Sequence, residues 1–538
     1  MSAGGTLLLG IDVGTASSKA VLTDHDGTVL ARHAVSHGMS VPRSGWAEQD
    51  AERVWWHDVR ALCTRLLDGS PYTGSDVAGV AVSAIGPCLL PLDEHDEPLR
   101  PGILYGVDTR ASDQIRALER EIGEDAVFAF SRSALTSQSV GPKIRWLRES
   151  EPDVWARTRR LTTASSYLVA KLTGEHVIDR HTASHFAPLI DMDQLEWSER
   201  YAAHVGPIER LPRLAWSDEV AGTVTQAAAE ATGLRAGTPV AVGTVDAVAE
   251  GLSVGVTRPG DLMVMYGSTT FFVLMVDAPI PDRRTWATAG PFAGTWALAA
   301  GMGTTGSLTA WLRDLTTPGV SDDDAFETLF EGAARVPPGA EGLLMLPYFS
   351  GERTPLNDPH ARGVIAGLSL AHGRDQLFRA ALEGIAYGVR HNLETFDAIG
   401  APVTRIVAVG GGARGIGAHI VSDVTGRTQQ RARVSIGAAY GDAFIAGLSA
   451  GILQHDDLER WVTIERTIEP DSAAARVYDE RYPDFLDLYR STKPIVHRLG
   501  AHQAPAERPT RRYHLPDTAT DISAHESTHR HPEESTRA

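Results

Sequence analysis

The chain has 538 residues, 43% of them apolar and 22% charged, which is enough to bury the cores of two or more domains. Its formal net charge of −18 argues against nucleic acid as a partner, since that needs a clustered basic face, and reads instead as colloidal solubility. Two cysteines, Cys63 and Cys88, exclude a disulfide framework and a four-cysteine zinc site. The start lacks a basic n-region and an apolar h-region, and no run approaches a membrane span, so a cytoplasmic protein without a membrane partner is expected.

Thr6 to Ile11 is short and apolar and breaks at Asp12-Val13-Gly14-Thr15. Lys19 to Leu22 resumes, Asp24-His25-Asp26-Gly27 is a turn signal, and Thr28 to Ala31 follows, which predicts a meander of antiparallel hairpins. Ala51 to Leu67 carries apolar residues at helical spacing (Val54, Val59, Leu62, Leu66, Leu67), and Val77 to Val82 reads as a buried strand. Val240 to Val242 is strand-like. A second strand-turn-strand unit follows: Leu262 to Tyr266, the turn Gly267-Ser268-Thr269-Thr270, then Phe271 to Val276. Alternating helices and short apolar runs give an α/β class. Two similar units suggest two related domains, with the boundary near Thr257-Arg258-Pro259-Gly260. From about Arg498 large apolar residues almost vanish, so residues 498–538 are expected to be a disordered tail. Its histidines (His502, His514, His525, His529, His531) have no clean ligand spacing.

Three segments could carry chemistry. In Gly10-Ile11-Asp12-Val13-Gly14-Thr15-Ala16-Ser17-Ser18-Lys19 a glycine turn after a strand lets backbone N–H groups approach phosphate oxygens. Thr15 and Ser17 add hydroxyls, Asp12 could hold a hydrated Mg²⁺, and Lys19 could offset charge; an ordinary hairpin turn is the alternative. In Val242-Gly243-Thr244-Val245-Asp246-Ala247 a lone acid sits between a strand end and a small apolar stretch, suited to a cleft or equally to a helix N-cap. In Val407-Ala408-Val409-Gly410-Gly411-Gly412-Ala413 a strand ends in bare backbone, where a planar ring could lie and a helix N-terminus could face phosphate; a flexible turn is the alternative.

The order of these pieces resembles the layout of the actin-like ATPase fold. Further segments resemble one branch of it, the FGGY carbohydrate kinases, over roughly residues 7 to 490. Gly45-Trp46-Ala47-Glu48-Gln49-Asp50 with Trp55-Trp56 looks like that family's early segment. Lys143-Ile144-Arg145-Trp146-Leu147-Arg148-Glu149 is similar to the core of its first signature, though the residues before Lys143 depart from it. Ser350-Gly351-Glu352-Arg353-Thr354-Pro355 resembles its xylulokinase-like members. Gly363-Val364-Ile365-Ala366-Gly367-Leu368, then Gln376-Leu377-Phe378-Arg379-Ala380-Ala381-Leu382-Glu383, fits its second signature.

The resemblance implies two actin-like, ribonuclease H-like domains (1–255 and 256–497) flanking a central ATP and sugar cleft. It implies an ATP-dependent phosphotransferase acting on a hydroxyl of a small ketose or polyol. Asp246 matches the catalytic base and a substrate contact. Gly14, Thr15 and Ser17, with Lys19, match the first phosphate loop, and Gly267, Ser268 and Thr269 the second. Gly306, Gly411, Gly412 and Ala413 match nucleotide contacts, and Asp12 the acid associated with Mg²⁺. The sugar side is expected at Gly86, Pro87, Asp108 and Arg110. There Gly86-Pro87 replaces a Met-His of xylulokinases, and Gly106 the Trp of a Trp-x-Asp-x-Arg, which predicts a preference shifted away from D-xylulose. Alternatives are a kinase for gluconate or glycerol, or a non-catalytic, chaperone-like ATP-binding protein of the same fold. A homodimer is left open.

Overall fold

The computed structural model describes residues 6–413, 415–434, 436–500 and 502. Strand β1 (Leu7–Val13) is buried along its whole length because it runs inside a sheet. It pairs antiparallel with β2 (Ser17–Thr23), which pairs with β3 (Val29–Ser36). The stretch read as one helix over 51–67 is a wide π turn over Ala51–Trp56, capped by Asp50, and then α1 (His57–Leu67). β4 (Val77–Ala84) lies parallel to β1 on its other side. Helix α2 (Val140–Ser150) and the short α3 (Arg180–Ala183) belong to an accessory layer with its own core of Ile103, Leu118, Ile144, Trp146, Phe186 and Ile190. β5 (Val220–Thr223), β6 (Pro239–Ala241) and β7 (Thr244–Val245) complete a seven-stranded sheet of order β5-β6-β4-β1-β2-β3, with β7 also on β4. Helix α4 (Asp246–Ser253) leaves directly from β7.

The second half repeats this plan. β8 (Asp261–Tyr266) and β9 (Thr270–Val276) form an antiparallel hairpin, and β10 (Trp286–Ala289) and β11 (Trp296–Met302) extend it. Helix α5 (Gly306–Thr316) and the long α6 (Arg374–Ala398) cover one face. β12 (Arg405–Val409) lies parallel to β8, as β4 does to β1. Helix α7 (Gly415–Thr425) and β13 (Gln429–Ala432) follow. Helix α8 (Ala438–Ser449), β14 (Ile464–Ile468) and α9 (Ser472–Gly500) close the fold. The second sheet has seven strands in the order β10-β11-β9-β8-β12-β13-β14. Its core gathers Leu262, Phe272, Leu274, Phe378, Phe396 and Phe485; burying such side chains stabilises by roughly 1.5–3 kcal/mol each.

Helix α8 crosses back onto the first sheet. A Cβ on Gly10 of β1 would stand 2.0 Å from the Ala439 carbonyl oxygen, and one on Gly441 2.0 Å from that of Ala249 in α4. Glycine is needed at both positions because backbone meets backbone there. Helix α9 runs to Gly500, so the expected tail begins inside a helix; residues 501 and 503–538 lie outside the described residues. Among the described residues no helix is long and apolar enough to cross a membrane.

Candidate active site

The ends of β1, β4 and β7 lie side by side in the first sheet, and in the second half the hairpin turn meets the loop after β11. In the first turn Gly14 N–H donates to the Ser17 carbonyl at 3.1 Å, which holds Thr15 and Ser17 at the tip. Thr15 Oγ1 lies 3.4 Å from the Tyr105 hydroxyl. Asp12 stands opposite Lys19 in the β1–β2 register. It is 7% exposed, and its Oδ1 has no hydrogen-bond partner among the described residues. Burial, then the Asp246 and Glu250 carboxylates, push Asp12 well above the usual carboxylate range, while Lys19 opposes them.

Asp246 is the first residue of α4 and is half-buried. It is not the helix cap, a position held by Val245 without a side-chain bond; its Oδ1 accepts the Ala247 N–H at 2.8 Å. Burial pushes Asp246 up to about 7; the Ala247 N–H pulls it down and Glu250 adds to the rise.

The second turn mirrors the first, with Gly267 N–H donating to the Thr269 carbonyl at 3.0 Å. The N-terminus of α5 is stapled onto it: Gly306 N–H donates to the Gly267 carbonyl and Ser307 N–H to the Ser268 carbonyl, both at 3.1 Å. A Cβ on Gly306 would lie 2.5 Å from the Gly267 oxygen, so the close approach requires glycine. After β12, Gly410 has φ +88° and Gly411–Ala413 form a single 3₁₀ turn. Gly411 and Gly412 are exposed. A Cβ on Gly411 would point into open space, whereas one on Gly412 would meet Tyr266 Cβ at 2.9 Å.

Two of the expected sugar contacts have partners within the protein. Asp108 and Arg110 are spent on each other: Arg110 Nη2 lies 2.7 Å from Asp108 Oδ2, and both side chains are 0% exposed. The Arg110 guanidinium stacks 3.9 Å from the Trp46 ring and pairs with Glu48 at 2.8 Å, and Asp108 Oδ2 also accepts Ala47 N–H at 2.7 Å. The pair fastens 45–49 to 102–110. Pro87 is buried, and a Cβ on Gly86 would strike Val245 Cγ1 at 2.6 Å, beside Asp246. A Met at 86 would therefore displace the residue that places Asp246.

Sequence reasoning singled out Glu352 and Arg353 only as part of a family segment, and missed Glu250 and Asp442. Glu352 Oε1 accepts Gly303 N–H at 2.8 Å and Arg353 N–H at 2.7 Å, and burial pushes its carboxyl up to about 7. Arg353 donates to the Met302 carbonyl at 2.9 Å and interacts electrostatically with Tyr105, so the second half adds a cation beside the first hairpin. Asp442 carried one signal: a single acid within the Gly- and Ala-rich run of α8.

Residues 7–252 match the N-terminal domain, and residues 262–450 the C-terminal domain, of the FGGY family of carbohydrate kinases. The chain belongs to that family. The FGGY chain is 27% identical over 496 residues to a xylulose kinase of Escherichia coli (strain K12), covering 91% of this chain and 100% of that protein. It is 25% identical to a gluconokinase of Bacillus subtilis (strain 168), covering 92% and 98%. The crystal structure of xylulose kinase from Rhodospirillum rubrum matches with a TM-score of 0.84 at 34% identity, covering 91% of this chain and 100% of that one. The FGGY protein is accordingly an ATP-dependent carbohydrate kinase of the actin-like fold.

Proposed function

We propose that this kinase moves the γ-phosphoryl group of ATP onto a hydroxyl of a small ketose or polyol in the cytoplasm, with Asp246 as the base. The observation that carries the reading is the Asp246 carboxylate, held at the start of α4 by Ala247 N–H and brought by burial to about 7, where it can accept a proton near neutral pH. Phosphoryl transfer asks mainly for positioning and charge neutralisation. The turns at Gly14-Thr15-Ser17 and Gly267-Ser268-Thr269 offer amides and hydroxyls for the phosphates, and Lys19 offsets the acids beside Asp12. The exposed Gly411 and Gly412, in the turn that ends at Ala413, suit the adenosine.

The buried, unpartnered Oδ1 of Asp12 suits a divalent ion at the phosphates. Among the described residues no three His, Cys, Asp or Glu side chains converge on one point, so Asp12 would hold Mg²⁺ with water and phosphate oxygens as the other ligands. Bound there, Mg²⁺ would neutralise charge on the phosphates.

The ketose reading draws on the xylulose kinases among the relatives and on Glu352-Arg353 beside Tyr105. Gly86-Pro87 offers no side-chain donor, so D-xylulose is expected to be a poor acceptor beside another small ketose or a polyol. A coupled ADP-release assay over ketoses, polyols, gluconate and glycerol tests this. Turnover only with gluconate, or ATP hydrolysis indifferent to every acceptor, contradicts it.

A further inference from the structure

Two histidines, His181 and His185, lie on a turn tied to the strand before Asp246, and the proposed mechanism leaves them idle. The chain turns at Asp179, whose carboxylate accepts Thr182 N–H at 3.0 Å and the hydroxyls of Thr182 and Thr244 at 2.5 and 3.0 Å. Thr244 stands two residues before Asp246, so this turn is tied to the strand that delivers the base. On the turn, His181 Nδ1 lies 2.7 Å from the Ala289 carbonyl oxygen and donates to it, which leaves Nε2 bare.

His185 follows. Its carbonyl accepts Val140 N–H at 2.8 Å at the start of α2, one turn before Lys143, and its ring lies 5.6 Å from that of His181. The side chain is half-buried and makes no hydrogen bond among the described residues. Burial, with His181 and Lys143 adding to it, pushes His185 down to about 3, so the imidazole is neutral and offers one donor and one acceptor. A half-buried imidazole without a hydrogen-bond partner among the described residues can meet water or a ligand.

We propose that His185 is a specificity-determining residue of the sugar pocket, its imidazole hydrogen-bonding an acceptor hydroxyl from a second wall where the Gly86-Pro87 strand has no donor to give. Three observations carry this: the tie from Asp179 to Thr244, the anchoring of His185 beside α2, and a ring with no hydrogen-bond partner among the described residues. Lys143 reinforces the wall, since its Nζ donates to the Ser137 carbonyl at 2.7 Å and so fixes the helix on which His185 leans. The inference rests on the ketose or polyol reading and adds to it the residue that selects among such acceptors.

Steady-state kinetics of the whole enzyme over the same ketose and polyol panel test it, with His185→Ala and with His185→Gln, which keeps a donor and an acceptor. His185→Ala should lower kcat/KM for the best acceptor about tenfold or more, mainly through KM, and reorder the panel. The KM for ATP and the slow ATP hydrolysis without sugar should hold, and His185→Gln should recover part of the loss. A folded His185→Ala enzyme with wild-type kcat/KM and an unchanged order of preference would overturn the inference and leave the kinase reading standing. So would a fall in sugar-free ATP hydrolysis that matches the loss with sugar, since that marks a structural role. Should His185→Ala not fold, His185→Leu, which fills the site without a donor or acceptor, is judged by the same outcomes. If wild type phosphorylates no ketose or polyol, the functional reading itself fails and the inference falls with it.

Discussion

The Ser83 hydroxyl donates to Asp442 Oδ2 at 2.6 Å, joining β4 of the first sheet to α8 from the far end of the chain. Asp442 is 0% exposed, its Oδ1 has no partner among the described residues, and burial with Asp12 and Asp246 nearby raises it well above the usual range. Removing the hydroxyl that donates to it should be costly. Ser83→Ala is expected to destabilise by about 1–3 kcal/mol, read as a lower Tm at pH 8. Asp442→Asn, which removes a buried charge and keeps the shape, should cost less. The reverse order would show that the Ser83 contact does not hold α8 in place.

The pH dependence of kcat/KM should follow Asp246. As a base it works only when ionised, so kcat/KM should fall about tenfold per unit as pH drops below about 7, and level off above it. Asp12 and Glu250 face it and resist its ionisation, and Lys19 faces those two. Glu250→Gln should therefore move the inflection to lower pH. An inflection unmoved, or sitting near 4, would contradict the electrostatics.

The same shift has a stability consequence. Folding raises Asp246 from an ordinary value of about 3.9 to about 7, so the folded state holds this proton more tightly than the unfolded chain. Its contribution is fully present below about pH 4 and is lost as pH rises through about 7. Asp246→Asn removes the ionisation penalty, so its Tm should exceed that of wild type at pH 8 by a few degrees, and the gap should close towards pH 4. Equal Tm values at pH 8 would mean that Asp246 ionises in the fold without penalty.

Bulk at the end of β12 separates two adjacent glycines. Gly411→Val projects into open space where the adenosine is expected, so ATP affinity should fall roughly tenfold or more with Tm nearly unchanged. Gly412→Val collides with Tyr266 and should lower Tm as well. Unchanged ATP affinity in folded Gly411→Val would remove the nucleotide from this turn.

The hairpins at Leu7–Thr23 and Asp261–Val276 were legible because glycine turns between short apolar runs leave few other structures. Asp246 was legible as a lone acid after a strand, though local sequence could not choose between cap and base; the structure puts Val245 at the cap position and Asp246 one residue inside the helix. What stayed hidden depends on contacts between distant segments. Nothing near Asp108 shows that its partner Arg110 will stack on the Trp46 ring. Nothing near residue 442 shows that α8 will return to the first sheet and bring its acid to Ser83. The π turn at Ala51–Trp56 escaped because apolar spacing reports which face is buried and not how the backbone is wound.

The most direct test of the account compares wild type with Asp246→Asn on the best acceptor of the panel, measuring ADP release and ATP binding side by side. The variant keeps the shape of the side chain and loses the base, so kcat should fall on the order of 10²-fold or more while ATP affinity stays within about twofold. Turnover close to wild type in Asp246→Asn would contradict the assignment of the base, and with it the proposed mechanism.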